Sequence, residues 1–182
     1  MQQDPYMAEV FPQPPLVAYK RPPNIKDKLI RAKIPDSPPP REKRKTFGMK
    51  KCNKCPICPF VQVGQKVSAS KTNFSIDINT EVNCQTKNII YVIECKKCRE
   101  QYVGESNRSL QHRFSEHLGY VRNKHVNKVT GEHFNLRGHS QSDMQISIIE
   151  KIYSKSDQFR KQRERMFICK FNTKYKGMNK KT

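Results

Sequence analysis

Two tyrosines eleven residues apart, Tyr91 and Tyr102, lie in β-rich segments that precede a predicted helix carrying Arg113 and His117. Arg113 and His117 are four residues apart, so a helix projects them from one face. A guanidinium can hold a phosphate through two hydrogen bonds and can stabilise charge that develops on it. The phenols could position or deprotonate an attacking water. These residue types in this order therefore indicate cleavage of a phosphodiester bond.

Such chemistry also needs a carboxylate, because Mg²⁺ or Mn²⁺ prefers oxygen ligands. Glu164, between two arginines in the predicted last helix, is the best candidate in the sequence. Glu150, on a predicted strand, is a weaker alternative. An ordinary ion pair is the competing interpretation of Glu164, and a solvated helix face is the competing interpretation of Arg113 with His117.

Four other residues have the spacing of zinc ligands. Cys95 and Cys98 form a C-x2-C pair, and His133 and His139 form an H-x5-H pair. A reverse turn aims both thiolates of such a cysteine pair at one point, and two histidines can complete a tetrahedral Zn²⁺ site. The alternative is two reduced cysteines and two surface histidines in a turn-rich region.

A second cysteine cluster has the spacing C-x2-C-x2-C, formed by Cys52, Cys55 and Cys58. Cys84 is the expected fourth ligand of a second Zn²⁺ site. An iron–sulfur cluster and free thiols are the alternatives. Cys169 is left over, and its position in the last helix predicts a buried structural thiol.

The composition favours a polyanionic partner. The 182 residues have a formal net charge of +20, and a protein that neutralises phosphates releases their counterions. DNA is the expected partner, with RNA as the alternative; a ribosome-associated protein is a further interpretation. No apolar stretch approaches the roughly 20 residues of a membrane span, and the first residues do not resemble a signal peptide. We therefore expect no membrane association, a reducing compartment, and a nuclear or cytoplasmic protein.

Three segments differ in composition. Residues 1–48 hold ten of the twelve prolines and predict an extended basic leader, with two helical turns at 24–32. The basic cluster at 41–45 could serve as a nuclear import signal. Residues 49–86 form a Cys-rich zinc-binding segment, and residues 87–182 have the pattern of a folded α/β domain.

The α/β domain is predicted from five elements. Strands are expected at 88–94, 101–104 and 144–152, with the Cys95–Cys98 turn joining the first two. A first helix, capped near Ser106, runs to about residue 122. Its apolar stripe is Leu110, Phe114, Leu118 and Val121. A last helix begins at Ser154 or Ser156. The fold class is α/β (α+β), a three-stranded sheet flanked by helices.

Taken together, these residues resemble the GIY-YIG endonuclease family. Ile89-Ile90-Tyr91 matches the first motif and Tyr102-Val103-Gly104 the second. The resemblance extends to the helix residues Arg113 and His117, the metal-binding Glu164 and the late Asn179. Two positions differ from the usual family pattern. Ile89 occupies the position of the first glycine, and Phe167 occupies a position where the family often has Trp.

More narrowly, the chain resembles the C-terminal region of Penelope-like retroelement proteins. In that branch a CCHH zinc motif is threaded through the GIY-YIG domain, as Cys95, Cys98, His133 and His139 are here, and a Cys-rich segment precedes the domain. The sequence has no reverse transcriptase core, so we expect a truncated element copy or a host protein derived from one.

The resemblance implies a metal-dependent DNA nickase that leaves a 3′-hydroxyl. Tyr91 or Tyr102 would help activate water, Arg113 would hold the phosphate, and His117 would assist proton transfer or phosphate binding. Glu164 would hold Mg²⁺ or Mn²⁺. Two alternatives are a catalytically inactive, zinc-stabilised nucleic-acid-binding module and an adaptor that docks through the leader. The complete set of reacting groups favours the enzyme.

Overall fold

The computed structural model describes residues 47–154 and 156–179, together with residues 19, 20, 22 and 25. The chain divides into two compact units, Met1–Arg44 and Lys45–Thr182; the strands of the described residues and the predicted site residues lie in the second. Apart from Ile25, the helical turns predicted at 24–32 and the basic cluster at 41–45 lie outside the described residues. The segment boundaries predicted from composition stay predictions.

The elements follow one another in a simple order. The strands of the described residues are β1 (Gly48–Met49), β2 (Lys66–Ser68), β3 (Ser75–Asp77), β4 (Glu81–Val82), β5 (Ile89–Cys95), β6 (Gln101–Ser106) and β7 (Met144–Lys151). The helices after β6 are α1 (Leu110–Arg122), α2 (Val129–Phe134), α3 (Asp157–Phe171) and α4 (Thr173–Lys176). None of the helices in the described part of the chain has the length and apolar character of a membrane span.

The central sheet has three antiparallel strands in the order β6-β5-β7. Every residue of β5 is buried because this strand lies in the middle of the sheet with both faces covered. Full burial explains why its sequence is a continuous apolar run and not an alternating one. The α/β fold with a three-stranded sheet is confirmed.

Helix α1 begins three residues later than predicted. The Ser109 hydroxyl accepts a hydrogen bond from the backbone N–H of His112 and caps the helix, so the predicted cap at Ser106 is wrong. Ser106 instead accepts from the backbone N–H of Arg108 in the preceding turn. The predicted apolar stripe of α1 is buried and packs on the core.

Helix α3 is capped by Ser156, one of the two predicted start residues, whose hydroxyl accepts from the backbone N–H of Phe159. Phe167 and Phe171 are the apolar residues that this helix buries. The helix ends at Asn172, which adopts a left-handed conformation with φ of 55° and lets the chain turn into α4.

The Cys-rich segment packs directly on the sheet. Backbone hydrogen bonds join Gln62 to Ile146 on β7, and the Phe60 ring lies 5.4 Å from the Phe114 ring of α1. The side chain of Gln101 on β6 bonds the backbone of Ser68 and of Ser70. This segment therefore contributes to the same hydrophobic core as the strands that carry the site.

Candidate active site and metal centres

Tyr91 is at the centre of the candidate active site. It projects from β5, is 0% exposed, and its hydroxyl lies 2.8 Å from His117 Nε2. Arg113 donates a hydrogen bond from Nε to the same oxygen at 3.0 Å. The other end of this guanidinium donates from Nη1 to Glu116 at 2.8 Å. One helix face and one strand thus bring three of the predicted residues together.

Tyr102 completes the aromatic wall from the neighbouring strand β6. Its ring centroid lies 6.4 Å from that of Tyr91 and 5.6 Å from that of His117. Gly104 makes this arrangement possible, because a Cβ atom there would lie 2.6 Å from the Tyr91 hydroxyl oxygen. Tyr102 is partly exposed whereas Tyr91 is buried. The two phenols therefore differ in their access to solvent.

Burial determines the protonation of these groups. It raises the pKa of Tyr91 well above the usual value, and it raises the pKa of Tyr102 as well, so both phenols are neutral at pH 7. Burial, together with the positive charge of Arg113, lowers the pKa of His117 to about 3. The free site therefore contains a neutral imidazole between a phenol and a permanently charged guanidinium.

Glu164 faces this cluster from α3. Burial, and then the negative charge of Glu105 on β6, raise the pKa of Glu164, while the backbone N–H of Glu105 and the charge of Arg113 act the other way. Glu164 also interacts electrostatically with both phenols. Within the described residues Glu164 has no ion-pair partner. Its oxygens therefore suit a hard divalent cation that keeps most of its waters.

Glu150, the weaker alternative, is engaged elsewhere. Arg163 donates from Nε and Nη2 to the two oxygens of Glu150, both at 2.8 Å. This bidentate pair leaves Glu150 with no carboxylate oxygen free of Arg163. The geometry favours Glu164 as the candidate metal ligand.

Arg160 anchors α3 one turn before Glu164. Its guanidinium is paired with Glu105 on β6 and, at 2.6 Å, with Asp157, and the residue is only 3% exposed. Because Arg160 and Glu164 are four residues apart, the pairing of Arg160 with β6 also sets the position of Glu164 over the sheet.

Asn179 has a different environment from the other predicted residues. Its Oδ1 accepts from the backbone N–H of Val103 at 2.9 Å, and its Nδ2 donates to the Val103 carbonyl at 2.8 Å. Asn179 therefore pairs with the outer edge of β6, between the Tyr102 and Gly104 positions. Its side-chain groups hold the strand in place; its predicted catalytic role stays a prediction, as do those of the other site residues.

Sequence reasoning missed three polar residues of the site: Glu116, Glu105 and Thr130. The side chain of Thr130 on α2 lies 3.0 Å from His117 Nδ1. Glu116 follows Arg113 by three residues, so helical spacing could have indicated that pair. Nothing local in the sequence signals the contacts of Glu105 and Thr130, because each joins elements distant along the chain.

The second cysteine cluster, formed by Cys52, Cys55, Cys58 and Cys84, converges on one point. Their sulfur atoms lie 3.2 to 3.8 Å apart for the Cys52–Cys55, Cys52–Cys58, Cys55–Cys58 and Cys58–Cys84 pairs. Four thiolates at about 2.3 Å from a tetrahedral Zn²⁺ would have sulfurs about 3.8 Å apart. The donor set and the spacing therefore fit zinc, with sulfurs slightly compressed.

The CCHH residues also form one cluster. The ligand atoms of Cys95, Cys98, His133 and His139 all lie within 4.8 Å of one another. Both ring nitrogens of His139 are buried and have no hydrogen-bond partner among the described residues. A buried imidazole without a partner is costly unless a ligand satisfies it, so this site fits a metal ion. His133 lies 3.6 Å from a Glu100 oxygen through Nδ1, the nitrogen that faces away from Cys98.

Cys169 is exposed, so the prediction of a buried structural thiol is wrong. It lies on α3 between Ile168 and Lys170, and the buried face of that helix is formed by Phe167 and Phe171 instead. The apolar neighbours of Cys169 in the sequence do not share its side of the helix.

Comparison with known proteins identifies the family of the domain that carries the site. The family model of the GIY-YIG catalytic domain matches residues 87–179, slightly more than half of the chain. The chain therefore belongs to the GIY-YIG family, and the resemblance seen in the sequence is confirmed at that level. A GIY-YIG nuclease domain implies a DNA endonuclease with a nucleic acid substrate.

Among solved structures, the catalytic domain of homing endonuclease I-TevI is similar. The two share 23% identity with a TM-score of 0.45, over 53% of this chain and 100% of that chain. A search of curated proteins returned no significant match.

Proposed function

We propose that this protein is a divalent-metal-dependent DNA endonuclease that nicks one strand and leaves a 3′-hydroxyl. The observation that carries the proposal is the contact of Arg113 and His117 with one phenol oxygen, in a cluster that interacts electrostatically with the Glu164 carboxylate. These groups match the needs of phosphodiester hydrolysis: a cation for the phosphate, a phenol for water and an oxygen ligand for a metal.

Arg113 would bind the scissile phosphate. A guanidinium has five N–H donors, and the hydrogen bonds to Tyr91 and Glu116 use two of them, so donors remain for the phosphate. These two hydrogen bonds also hold the guanidinium still. A fixed cation stabilises the charge that develops in the transition state without reorganising when the reaction occurs.

Tyr102 is the phenol that we propose meets the attacking water, because it is partly exposed while Tyr91 is buried. Tyr91 would keep Arg113 and His117 in position through the hydrogen bonds of its hydroxyl group to both residues. His117 is neutral in the free protein because burial, and then the charge of Arg113, lower its pKa; the bound phosphate would offset the second of these two effects. We propose that His117 assists proton transfer at the site through the Tyr91 hydroxyl, 2.8 Å from its Nε2.

Glu164 would hold Mg²⁺ or Mn²⁺ beside this phosphate. Bound there, the ion would polarise the phosphate and stabilise the leaving oxygen. Asn179, through Val103, would keep β6 and hence Tyr102 in register with the site.

The two cysteine-containing clusters would each hold a structural Zn²⁺. Residues 49–86 would be the zinc-binding segment and 87–182 the endonuclease domain, with the basic leader at 1–48 adding DNA affinity in the nucleus or cytoplasm. Binding of metal by both clusters would stabilise a domain with a small core, since metal-binding energy becomes folding energy. The CCHH cluster inside the GIY-YIG domain supports an origin in a Penelope-like retroelement.

The second candidate function is an inactive nucleic-acid-binding module. The formal net charge of +20 favours it equally, because DNA binding alone needs only the charge. The two candidates differ in cleavage and not in binding.

Plasmid nicking separates them. Wild-type protein with Mg²⁺ or Mn²⁺ should convert supercoiled plasmid to open circles, and Glu164→Ala should abolish the conversion while leaving DNA affinity within about twofold. Glu150→Ala is the matched control and should nick at nearly the wild-type rate. Equal nicking by wild type and Glu164→Ala would refute the metal assignment, and binding without cleavage under every divalent ion would favour the inactive module.

A further inference from the structure

Thr130 makes a buried hydrogen bond to the imidazole of the candidate active site. Its Oγ1 lies 3.0 Å from His117 Nδ1, and the other ring nitrogen, Nε2, lies 2.8 Å from the Tyr91 hydroxyl. Thr130 is 1% exposed, His117 3% and Tyr91 0%. Thr130, His117, Tyr91 and Arg113 therefore form one continuous series of hydrogen bonds, in which the first three residues have little access to water.

Arg113 fixes the direction of each hydrogen bond in this series. Arg113 can only donate, so the Tyr91 oxygen accepts from it. The phenol is neutral, and its own hydrogen is satisfied by donation to His117 Nε2. A neutral imidazole with an accepting Nε2 carries its hydrogen on Nδ1, and that hydrogen points at Thr130 Oγ1.

We propose that Thr130 is a positioning residue that fixes His117 in the Nδ1–H tautomer and thereby orients Tyr91 and Arg113 for the phosphate. The inference deepens the proposed endonuclease function and rests on it. Without the Thr130 acceptor, the Nδ1–H group would be buried with no acceptor, so the Nδ1–H tautomer would lose much of its advantage over the Nε2–H tautomer. The Nε2–H tautomer would donate to Tyr91, whose oxygen would then receive two donors while its own hydrogen lost its partner.

Helix α2 holds Thr130 firmly against α1. Gly131 allows close approach, because a Cβ atom there would lie 2.2 Å from the carbonyl oxygen of His125. The Nδ2 group of Asn135, directly after α2, donates to the carbonyls of Val121 at 3.0 Å and Gly131 at 2.7 Å. Three residues beyond Thr130, His133 belongs to the CCHH cluster. The close approach at Gly131 and the hydrogen bonds of Asn135 restrict movement of the Thr130 hydroxyl relative to His117.

Two substitutions at this position separate the hydroxyl from the shape of the side chain. Thr130→Val keeps the branched shape and removes the acceptor, whereas Thr130→Ser keeps the acceptor. We expect Thr130→Val to lower kcat for plasmid nicking about 10-fold, the size of one lost buried hydrogen bond, with KM for DNA unchanged. Thr130→Ser should restore most of the rate.

Thr173→Val is the matched control. Thr173 is also 1% exposed, but its hydroxyl has no partner among the described residues, so this substitution should leave kcat unchanged. Equal rates for wild type and Thr130→Val, or equally slow Thr130→Val and Thr130→Ser, would overturn the role of the hydroxyl.

The imidazole itself provides a readout that does not depend on cleavage. Long-range ¹H–¹⁵N spectra of labelled protein should show the hydrogen of His117 on Nδ1 in wild type and Thr130→Ser. Thr130→Val should show a mixture of tautomers or the Nε2–H form. A wild-type protein with the hydrogen on Nε2 would overturn the inference. Absence of nicking with the Nδ1–H form present would instead reject the proposed function alone.

Discussion

Substitution of Gly104 by alanine tests how closely the two phenols pack on the sheet. The new methyl carbon would lie 2.6 Å from the Tyr91 hydroxyl oxygen, 2.7 Å from Tyr91 Cζ and 2.9 Å from Tyr102 Cε1. Real Cβ atoms essentially never show contacts shorter than 3.0 Å, so both rings must move, the Tyr91 ring by several tenths of an ångström. Overpacking of this kind costs about 1–3 kcal/mol of stability.

Gly104→Ala should slow cleavage as well as lower stability. Displacement of Tyr91 disturbs the hydrogen bonds to Arg113 and His117 together, and a misplacement of about 1 Å can cost about 100-fold in rate. Urea denaturation measures the loss of stability. Single-turnover nicking, at a temperature where the variant is folded, measures the loss of cleavage rate.

Gly119→Ala is the matched control for Gly104→Ala. Gly119 lies inside α1, and a Cβ atom there would meet nothing within 4 Å. Alanine should therefore stabilise the protein by about 0.5–1 kcal/mol and leave nicking unchanged. A Gly104→Ala variant as stable and as active as wild type would refute the packing of the phenols against β6.

Three further predictions concern charge, metal and pH. Arg160→Met should destabilise the protein by about 1–3 kcal/mol in urea denaturation, because it leaves the partly buried Glu105 carboxylate unpaired, whereas Asp157 is exposed; a loss below about 0.5 kcal/mol would contradict the anchoring of α3. Elemental analysis should find about two Zn²⁺ per chain in wild type and Cys169→Ser but one in Cys52→Ser. Retention of both ions in Cys52→Ser would contradict zinc binding by the second cysteine cluster, which includes Cys52. Because the folded pKa of His117 is about 3, against a usual 6.5, the unfolded chain binds more protons between these values, and stability should fall as pH is lowered through that window. His117→Gln should show a smaller fall in its urea midpoint; an identical pH dependence would contradict a buried neutral imidazole.

The periodic parts of the fold could be predicted from the sequence. The run at Ile89–Cys95, the apolar stripe of α1 and the order of elements depend on local patterns, and each corresponds to an element of the structure. The helix start was misplaced because Ser106 and Ser109 are both good caps, and only tertiary contacts choose between them. The exposure of Cys169 likewise depends on which helix face meets the sheet.

The candidate site could be predicted in its members but not in its connections. Motif spacing identified Tyr91, Arg113 and His117, and the structure places them within hydrogen-bonding distance. The contact of His117 with Thr130 and the pairing of Arg160 with β6 join segments far apart in sequence, so no local pattern encodes them. The packing of the Cys-rich segment on β7 has the same origin.

The central claim is that Glu164 holds a divalent ion beside a phosphate bound by Arg113. The most direct measurement is anomalous scattering from Mn²⁺ in crystals of the protein with an uncleavable phosphorothioate DNA. The account predicts a peak within about 2.2 Å of a Glu164 oxygen and a DNA phosphate within hydrogen-bonding distance of Arg113 and Tyr102. A peak at Glu150 or elsewhere, with the phosphate away from Arg113, would contradict it.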